Sequence, residues 1–150
     1  MKKLKSFINR KARFEYEFLE KMDAGIVLQG TEIKSIRDGQ VSFTDSFCLF
    51  IEHEMYIRNL HIAEYAHGNM HNHKPKRDRK LLLTKRELRK WKAKVSEKGL
   101  TIVPVKLFIN PKGYAKIEIA IAKGKQERDK REDIKKRDSE REIKNINKDL

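Results

Sequence analysis

Cysteine is almost absent. The single thiol, Cys48, cannot close an internal disulfide, and a cysteine-rich zinc site is excluded with it. It stands in Phe47-Cys48-Leu49-Phe50, where a small buried apolar residue is the ordinary reading and a nucleophile the exceptional one. Long apolar runs are missing too: no stretch approaches the ~20 residues of a membrane span. The start, Met1-Lys2-Lys3-Leu4-Lys5, lacks the apolar stretch and cleavage site of a secretory signal. The expectation is a soluble, cytoplasmic protein. Apolar residues make up only 38% of the chain against 39% charged, so part of the length should lie outside any core. Acidic residues are in short supply, 22 against 36 basic, which leaves a net charge of +14. A balance of that sign favours a polyanionic partner, either nucleic acid or an anionic membrane surface.

The 150 residues suffice for one domain with a core and are too few for two of ordinary size. Composition changes abruptly at Gly124. Residues 125–150 hold 10 basic and 8 acidic residues, a net of +2, and only Ile134, Ile143, Ile146 and Leu150 as large aliphatics. Residues 1–124 therefore carry 26 basic and 14 acidic residues, or +12. The division expected is a folded, cationic body (1–124) and a charged tail (125–150) that is disordered or a lone helix when free. The excess charge sits on the body, which disfavours a basic tail as the main grip on RNA.

What is present reads mainly as β-structure. Val103, Val105, Leu107 and Ile109 alternate with Pro104, Lys106 and Phe108, and Ala115, Ile117, Ile119 and Ile121 alternate with Lys116 and Glu118. Period two with one apolar face predicts half-buried strands over Thr101–Asn110 and Gly113–Ala122, joined by the turn Asn110-Pro111-Lys112-Gly113. Pro104 predicts that its strand is an edge or is bulged. Phe43–Glu52 and Met55–Ile62 read as a second hairpin, and Phe14–Leu28 as a strand bent at Asp23-Ala24-Gly25. Thr84-Lys85-Arg86-Glu87 is a capping box, followed by Leu88, Trp91 and Val95 at helical spacing, with Gly99 as the expected stop. Gly30–Asp38 is a shorter helix stopped by Gly39. Strands too few for a sandwich, interrupted by helices, predict a small antiparallel barrel of five or six strands with flanking helices.

Candidate chemistry is sparse. His67, His71 and His73 share one loop, but no cysteine or carboxylate stands at ligand spacing, so a polar loop over phosphates is preferred to a metal site. His53 and His61 are the acid–base pair a ribonuclease would need, although a structural histidine is the default at His61. There is neither a glycine-rich phosphate loop nor a Ser-His-Asp spacing. Two basic clusters remain: Asn9-Arg10-Lys11-Ala12-Arg13-Phe14, followed by the aromatics Tyr16 and Phe18, and His73-Lys74-Pro75-Lys76-Arg77-Asp78-Arg79-Lys80. Charge runs are usually solvated surface. The proline and arginines of the second suit a stiff phosphate-gripping loop, and on so small a barrel an RNA of distinctive folded shape is a plausible target.

Asn9–Arg13, Ala24–Arg37, Asn72-His73 with Arg79-Lys80-Leu81-Leu82-Leu83, and Ala122–Lys125 with Asp129-Lys130-Arg131 together resemble the small protein B family of SsrA-binding proteins, in matching order from Asn9 to Arg137. The resemblance implies an oligonucleotide-binding-type barrel that acts as a monomer on RNA and needs no cofactor. It would hold the tRNA-like domain of transfer-messenger RNA and deliver it to stalled ribosomes. It also implies a tail that enters the decoding centre and the empty message channel. Asn9, Asp23 and Leu82 match the family's RNA-contacting positions, and the neighbouring Arg10, Lys11, Arg13, Lys34 and Lys80 are candidates for phosphate contacts. Gly124, Lys125, Asp129, Lys130 and Arg131 match the ribosome-engaging segment. Lys74 and Phe14 depart from the family's usual aspartate and histidine. Arg128 replaces an aromatic or histidine, although a guanidinium can also stack on a base. Pairs such as Glu127/Arg131, Glu132/Lys136 and Asp133/Arg137 would support a tail helix only weakly, by ~0.2–0.5 kcal/mol each, so it should form on binding. The rival readings are a general single-strand RNA-binding barrel, a ribonuclease and, more weakly, a membrane-surface protein.

Overall fold

A computed structural model describes residues 5–68, 71–96 and 99–125. Along the chain run β1 (Ser6–Ile8), α1 (Arg10–Glu15), β2 (Tyr16–Ile26), α2 (Gly30–Arg37), β3 (Val41–Ser42), β4 (Phe47–Ile51), β5 (Glu54–Arg58), β6 (His61–Ile62), β7 (Arg79–Leu82), α3 (Lys85–Val95), β8 (Leu100–Ile109) and β9 (Ala115–Gly124). The two alternating runs pair as expected, Ile109 opposite Ala115 through Leu100 opposite Lys123. Gly113 takes φ +88° in their turn, and Asn110 Oδ1 accepts the Lys112 and Tyr114 N–H groups at 3.1 and 2.9 Å. The antiparallel order β8-β4-β5-β7-β2-β9 returns to β8, so six strands form a ring, with β1 added beside β8 and β3–β6 as a separate short pair. The architecture is mostly β with flanking helices, as the alternation predicts.

The ring encloses one apolar cluster in which Ile57, Leu81, Leu107, Ile117 and Ile119 are fully buried and Trp91 of α3 is 1% exposed. Each such side chain contributes about 1.5–3 kcal/mol by leaving water. Cys48 belongs to this cluster, and burial pushes its thiol far above the usual range, which fits the packing role and leaves no thiolate. A second, smaller cluster lies outside the ring, where Ala12 of α1 packs on Val103 and Ala122.

Several expectations need correction. Pro104 is not on an edge: β8 pairs with β9 on one side and with β1 and β4 on the other, and the register slips between Pro104 and Lys106. The second prediction for that proline, a bulge, is what occurs. β2 does not bend at Asp23-Ala24-Gly25, which pair in unbroken register with Glu118, Ile117 and Lys116; its irregularity lies between Phe18 and Glu20. The small residues serve packing instead. Ala24 is 2% exposed, and a Cβ on Gly25 would stand 3.2 Å from Leu82 Cδ1. Phe14 joins the first basic cluster in α1 rather than entering a strand, because Asn9 caps a helix there. The hairpin read from Phe43 is shorter, β4–β5, with Asp45 and Asn59 at φ +60° and +64° separating it from the β3–β6 pair. The end of the second basic cluster is strand β7, which completes the ring between β5 and β2. α3 starts with its capping box but ends at Val95, while Gly99, at φ +88°, leads into β8. Gly39, at φ +78°, follows α2 as expected.

Candidate nucleic-acid interface

Registered partners in a sheet share a face, so the pairings trace the outer surface of the ring. One cross-strand row runs Leu82–Gly25–Lys116–Phe108, and the next runs Asp23–Glu118–Lys106. Leu82 is 55% exposed and Tyr114, on the adjoining turn, 67%. With Val27, Ile33, Lys112 and Lys116 they line a shallow groove. Glycine at position 25 lets Leu82 lie flat against β2. Lys106 Nζ stands 5.1 Å from the centroid of the Phe108 ring. Lys80, two residues before Leu82, lies 3.7 Å from Glu54 and is 41% exposed.

Farther along the same outer face sits α1. Ala12 buries against Val103 and Ala122, which leaves Arg10, Lys11 and Arg13 exposed. From Lys116 to Ala122 is six strand residues, roughly 20 Å, so the α1 cations and the Leu82 groove mark the two ends of one track. Lys11 has Glu15 at 3.9 Å; Arg10 and Arg13 form no ion pair among the described residues.

Asn9 is placed differently from its neighbours. It is 8% exposed, its Nδ2 donates to Pro104 O at 2.8 Å, and its Oδ1 accepts the Ala12 N–H at 3.2 Å. The Asn9 N–H donates to Val105 O at 2.9 Å. Asparagine is needed here because it caps α1 and at the same time clasps the β8 bulge, where the peptide before Val105 has left the ladder. Asp23 is exposed beside Lys116 and directly opposite Glu118, so two acids stand together between Lys116 and Lys106. Lys34, on α2, is not on this track; its ammonium lies 5.4 Å from the Tyr65 ring centroid. Gly124 ends β9 exposed, and the Lys125 N–H donates to Glu15 O at 2.9 Å. Arg128, Asp129, Lys130 and Arg131 lie outside the described residues, as do the tail pairs read as helical.

The arginines of the second cluster turn onto a buried carboxylate. Glu32 and Arg79 are both fully buried, and the carboxylate takes hydrogen bonds from Arg79 Nε, from the Arg77 guanidinium and, at 2.7 Å, from the Gln29 N–H. Arg79 also donates to Leu60 O at 2.6 Å and Pro75 O at 3.1 Å. Burial alone would raise the Glu32 carboxyl, but the Arg77 hydrogen bonds, the Gln29 N–H and Arg79 outweigh it and hold it below the usual carboxylate range. Burial moves Arg79 downward, against the pull of Glu32. The expectation that this cluster grips phosphate is thus corrected for Arg79, a buried guanidinium whose four acceptors (Glu32, Leu60 O, Pro75 O and Arg77 O) are all internal, while Arg77, 24% exposed, is drawn onto the same carboxylate.

His73 is turned inward too. Its Nε2 lies 2.8 Å from Ile62 O, which can only accept, so Nε2 donates there, and Nδ1 forms a hydrogen bond with Thr31 Oγ1 at 2.8 Å. Asn72 pins the same loop by accepting the Tyr65 N–H at 3.1 Å and donating to Tyr65 O at 2.9 Å. Among the described residues no three His, Cys, Asp or Glu side chains group to hold a metal, and no helix is long and apolar enough to cross a membrane.

Sequence reasoning did not single out Lys106, Phe108, Tyr114 and Lys116 as functional. The signal was present, since three of them occupy the non-core positions of the two alternating strands, but alternation says only that a residue faces outward.

The SmpB protein family model matches residues 6–149. The SsrA-binding protein of Cytophaga hutchinsonii is 56% identical over 138 residues, covering 92% of this chain and 90% of its own. That of Christiangramia forsetii is 53% identical over 141 residues, with 94% and 90% coverage. That of Flavobacterium psychrophilum is 51% identical over 150 residues, the full length of both. A solved chain from a structure described as "tmRNA-SmpB: a journey to the center of the bacterial ribosome" superposes with a TM-score of 0.70 at 48% identity, covering 86% of this chain and 94% of that one.

Proposed function

This chain belongs to the SmpB family, and from that premise we propose that it binds the tRNA-like domain of transfer-messenger RNA and carries it to stalled ribosomes for trans-translation. The observation that carries the reading is the outer track: three exposed cations on α1 at one end, Lys116 and Lys106 between, and Leu82 with Tyr114 at the other. Lysine and arginine neutralise phosphates and release counterions, which supplies affinity. A folded RNA elbow of fixed shape selects the rigid spacing of the two ends. Leu82, Phe108 and Tyr114 offer apolar surface to an unstacked base or a ribose. Asp23, with Glu118 opposite it, is an acceptor beside Lys116, suited to a base amino group or a 2′-hydroxyl. Asn9 acts from beneath, by fixing α1.

The tail takes the other half of the task. β9 delivers the chain at Gly124, on the surface, and Lys125, Arg128, Asp129, Lys130 and Arg131 follow as the segment that engages the decoding centre and the empty message channel. Body and tail are separate working parts, residues 1–124 and 125–150.

Lys116→Glu combined with Arg13→Glu tests the body. Each change replaces attraction by repulsion at about 1 kcal/mol or more, so affinity for a transcribed tRNA-like domain should fall at least tenfold at low salt, with the RNA recovered intact. Unchanged affinity would discard the track. An unstructured RNA that outcompetes the tRNA-like domain would favour the general single-strand binder, for which Tyr114 and Phe108 would be the stacking surface, and cleavage lost on His53→Ala or His61→Ala would favour a ribonuclease.

A further inference from the structure

α3 presents two flanks with opposite electrostatic fates. Leu88 and Trp91 turn to the core, and Lys90 and Lys94, on one side of them, both reach Glu20 of β2, the former at 3.3 Å. On the other side stand Lys85, Arg89 and Lys92 at i, i+4 and i+7, one stripe about 10 Å long. All three are exposed and none has an ion-pair partner among the described residues. This stripe borders a groove shared with the β4–β5 hairpin, lined by Phe50 and Leu88 with Glu52, His53 and Glu54 on the hairpin side. Glu54 also lines the neighbouring cleft with Lys80 and Leu82, and its charge is met by Lys80 at 3.7 Å. The stripe therefore adjoins the Leu82 end of the outer track across this cleft, which Glu87, accepting the Thr84 N–H, also lines.

We propose that Lys85, Arg89 and Lys92 form an extension of the RNA-binding surface, gripping the phosphate backbone of a double-helical arm of the same folded RNA that sits on Leu82. Charge complementarity and continuity carry the assignment. A duplex arm landing on Leu82 is stiff, so it must run on past its contact, and the capping box fixes Lys85 three residues beyond Leu82. Three cations with no acid to hold them face solvent along that course, and Glu52 is the one hairpin acid there without a partner among the described residues. Lys90 and Lys94 share the Glu20 carboxylate, whereas these three, with the exposed Arg86 beside them, have none among the described residues. The proposal rests on the RNA-binding reading above.

The test compares the full chain with two variants, Lys85→Gln/Arg89→Gln/Lys92→Gln and Lys90→Gln/Lys94→Gln, titrated with a transcribed tRNA-like domain across a salt series. Unaltered helix content by circular dichroism establishes that α3 persists. The first variant should bind roughly tenfold more weakly near 0.1 M salt, with the slope of log K against log salt shallower by about 2–3. The second should leave the slope unchanged, because its cations are already held. A charge-conserving Lys85→Arg/Arg89→Lys/Lys92→Arg variant should restore the parent slope. An unaltered slope in the first variant overturns the assignment, as does loss of ribosome co-sedimentation with tRNA-like binding intact, which would place the stripe on ribosomal RNA. A parent chain that ignores the tRNA-like domain would instead bring down the functional reading, and this extension with it.

Discussion

The segments 9–13 and 77–80 look alike as sequence, each a short basic cluster beside apolar residues, yet the fold spends them in opposite ways. On α1 the cations stand in solvent, and the one polar residue withdrawn from it, Asn9, holds the helix in place. In the second segment Arg77 and Arg79 are withdrawn onto Glu32, and what remains outside is Asp78 and Lys80, with Leu82 just beyond. The lesson concerns carboxylates. A buried acid within reach converts a basic cluster from surface to scaffold, because an arginine's desolvation is tolerable only with its donors satisfied.

The sharpest way to break the comparison is Glu32→Ala. It leaves Arg79 buried without its counter-charge and should cost about 3–5 kcal/mol, read as a large fall in the denaturation midpoint. A variant as stable as the parent would mean that the arginines can turn outward, and the two clusters would then be equivalent. The acid limb of stability sharpens the same point. The Glu32 carboxyl is lower in the folded protein than its ordinary value of 4.5, so its contribution is complete above that value and is lost as pH falls through it toward the folded value. Thermal melts of the parent should weaken below that pH, and Glu32→Gln should flatten this dependence.

Asn9→Ala is expected to act next most strongly. It removes a helix cap, worth roughly 0.5–2 kcal/mol, together with the buried hydrogen bond to Pro104 O. Stability should drop measurably, and RNA affinity should drop with it at temperatures where α1 frays. If affinity fell while the melting curve stayed unchanged, Asn9 would be touching RNA rather than fastening the helix.

How much of this was legible follows from range. The β8–β9 hairpin, the capping box of α3 and the turn at Gly113 are set by neighbours within a few residues, and period and turn chemistry reveal them. β7 was hidden, because Arg79-Lys80-Leu81-Leu82 has only two apolar residues and becomes a strand through pairing with β2 and β5. The bulge at Phe18/Glu20 and the straight passage through Asp23–Gly25 depend likewise on distant partners. For the site, the family motifs picked out Asp23 and Leu82, two ends of adjoining cross-strand rows, but gave no hint that Asn9 faces inward. Glu32 explains why Arg77 and Arg79 are drawn inward. It lies 45 and 47 residues from them, and no local pattern announces the meeting.

The smallest effect on stability, and the one that completes the contrast, belongs to Arg10→Gln/Lys11→Gln/Arg13→Gln. These side chains are exposed, and the Lys11–Glu15 contact at 3.9 Å is a surface i, i+4 pair worth only ~0.3–0.5 kcal/mol. Each substitution should change stability by no more than about 0.5 kcal/mol, so the melting curve should nearly overlay the parent's. The salt dependence of binding to the tRNA-like domain should not. Losing up to three phosphate contacts makes the slope of log K against log salt shallower by about 2–3. A triple variant that melts early but binds with the parent's slope would reverse the assignment, making α1's cations scaffold and erasing the distinction from Arg77 and Arg79.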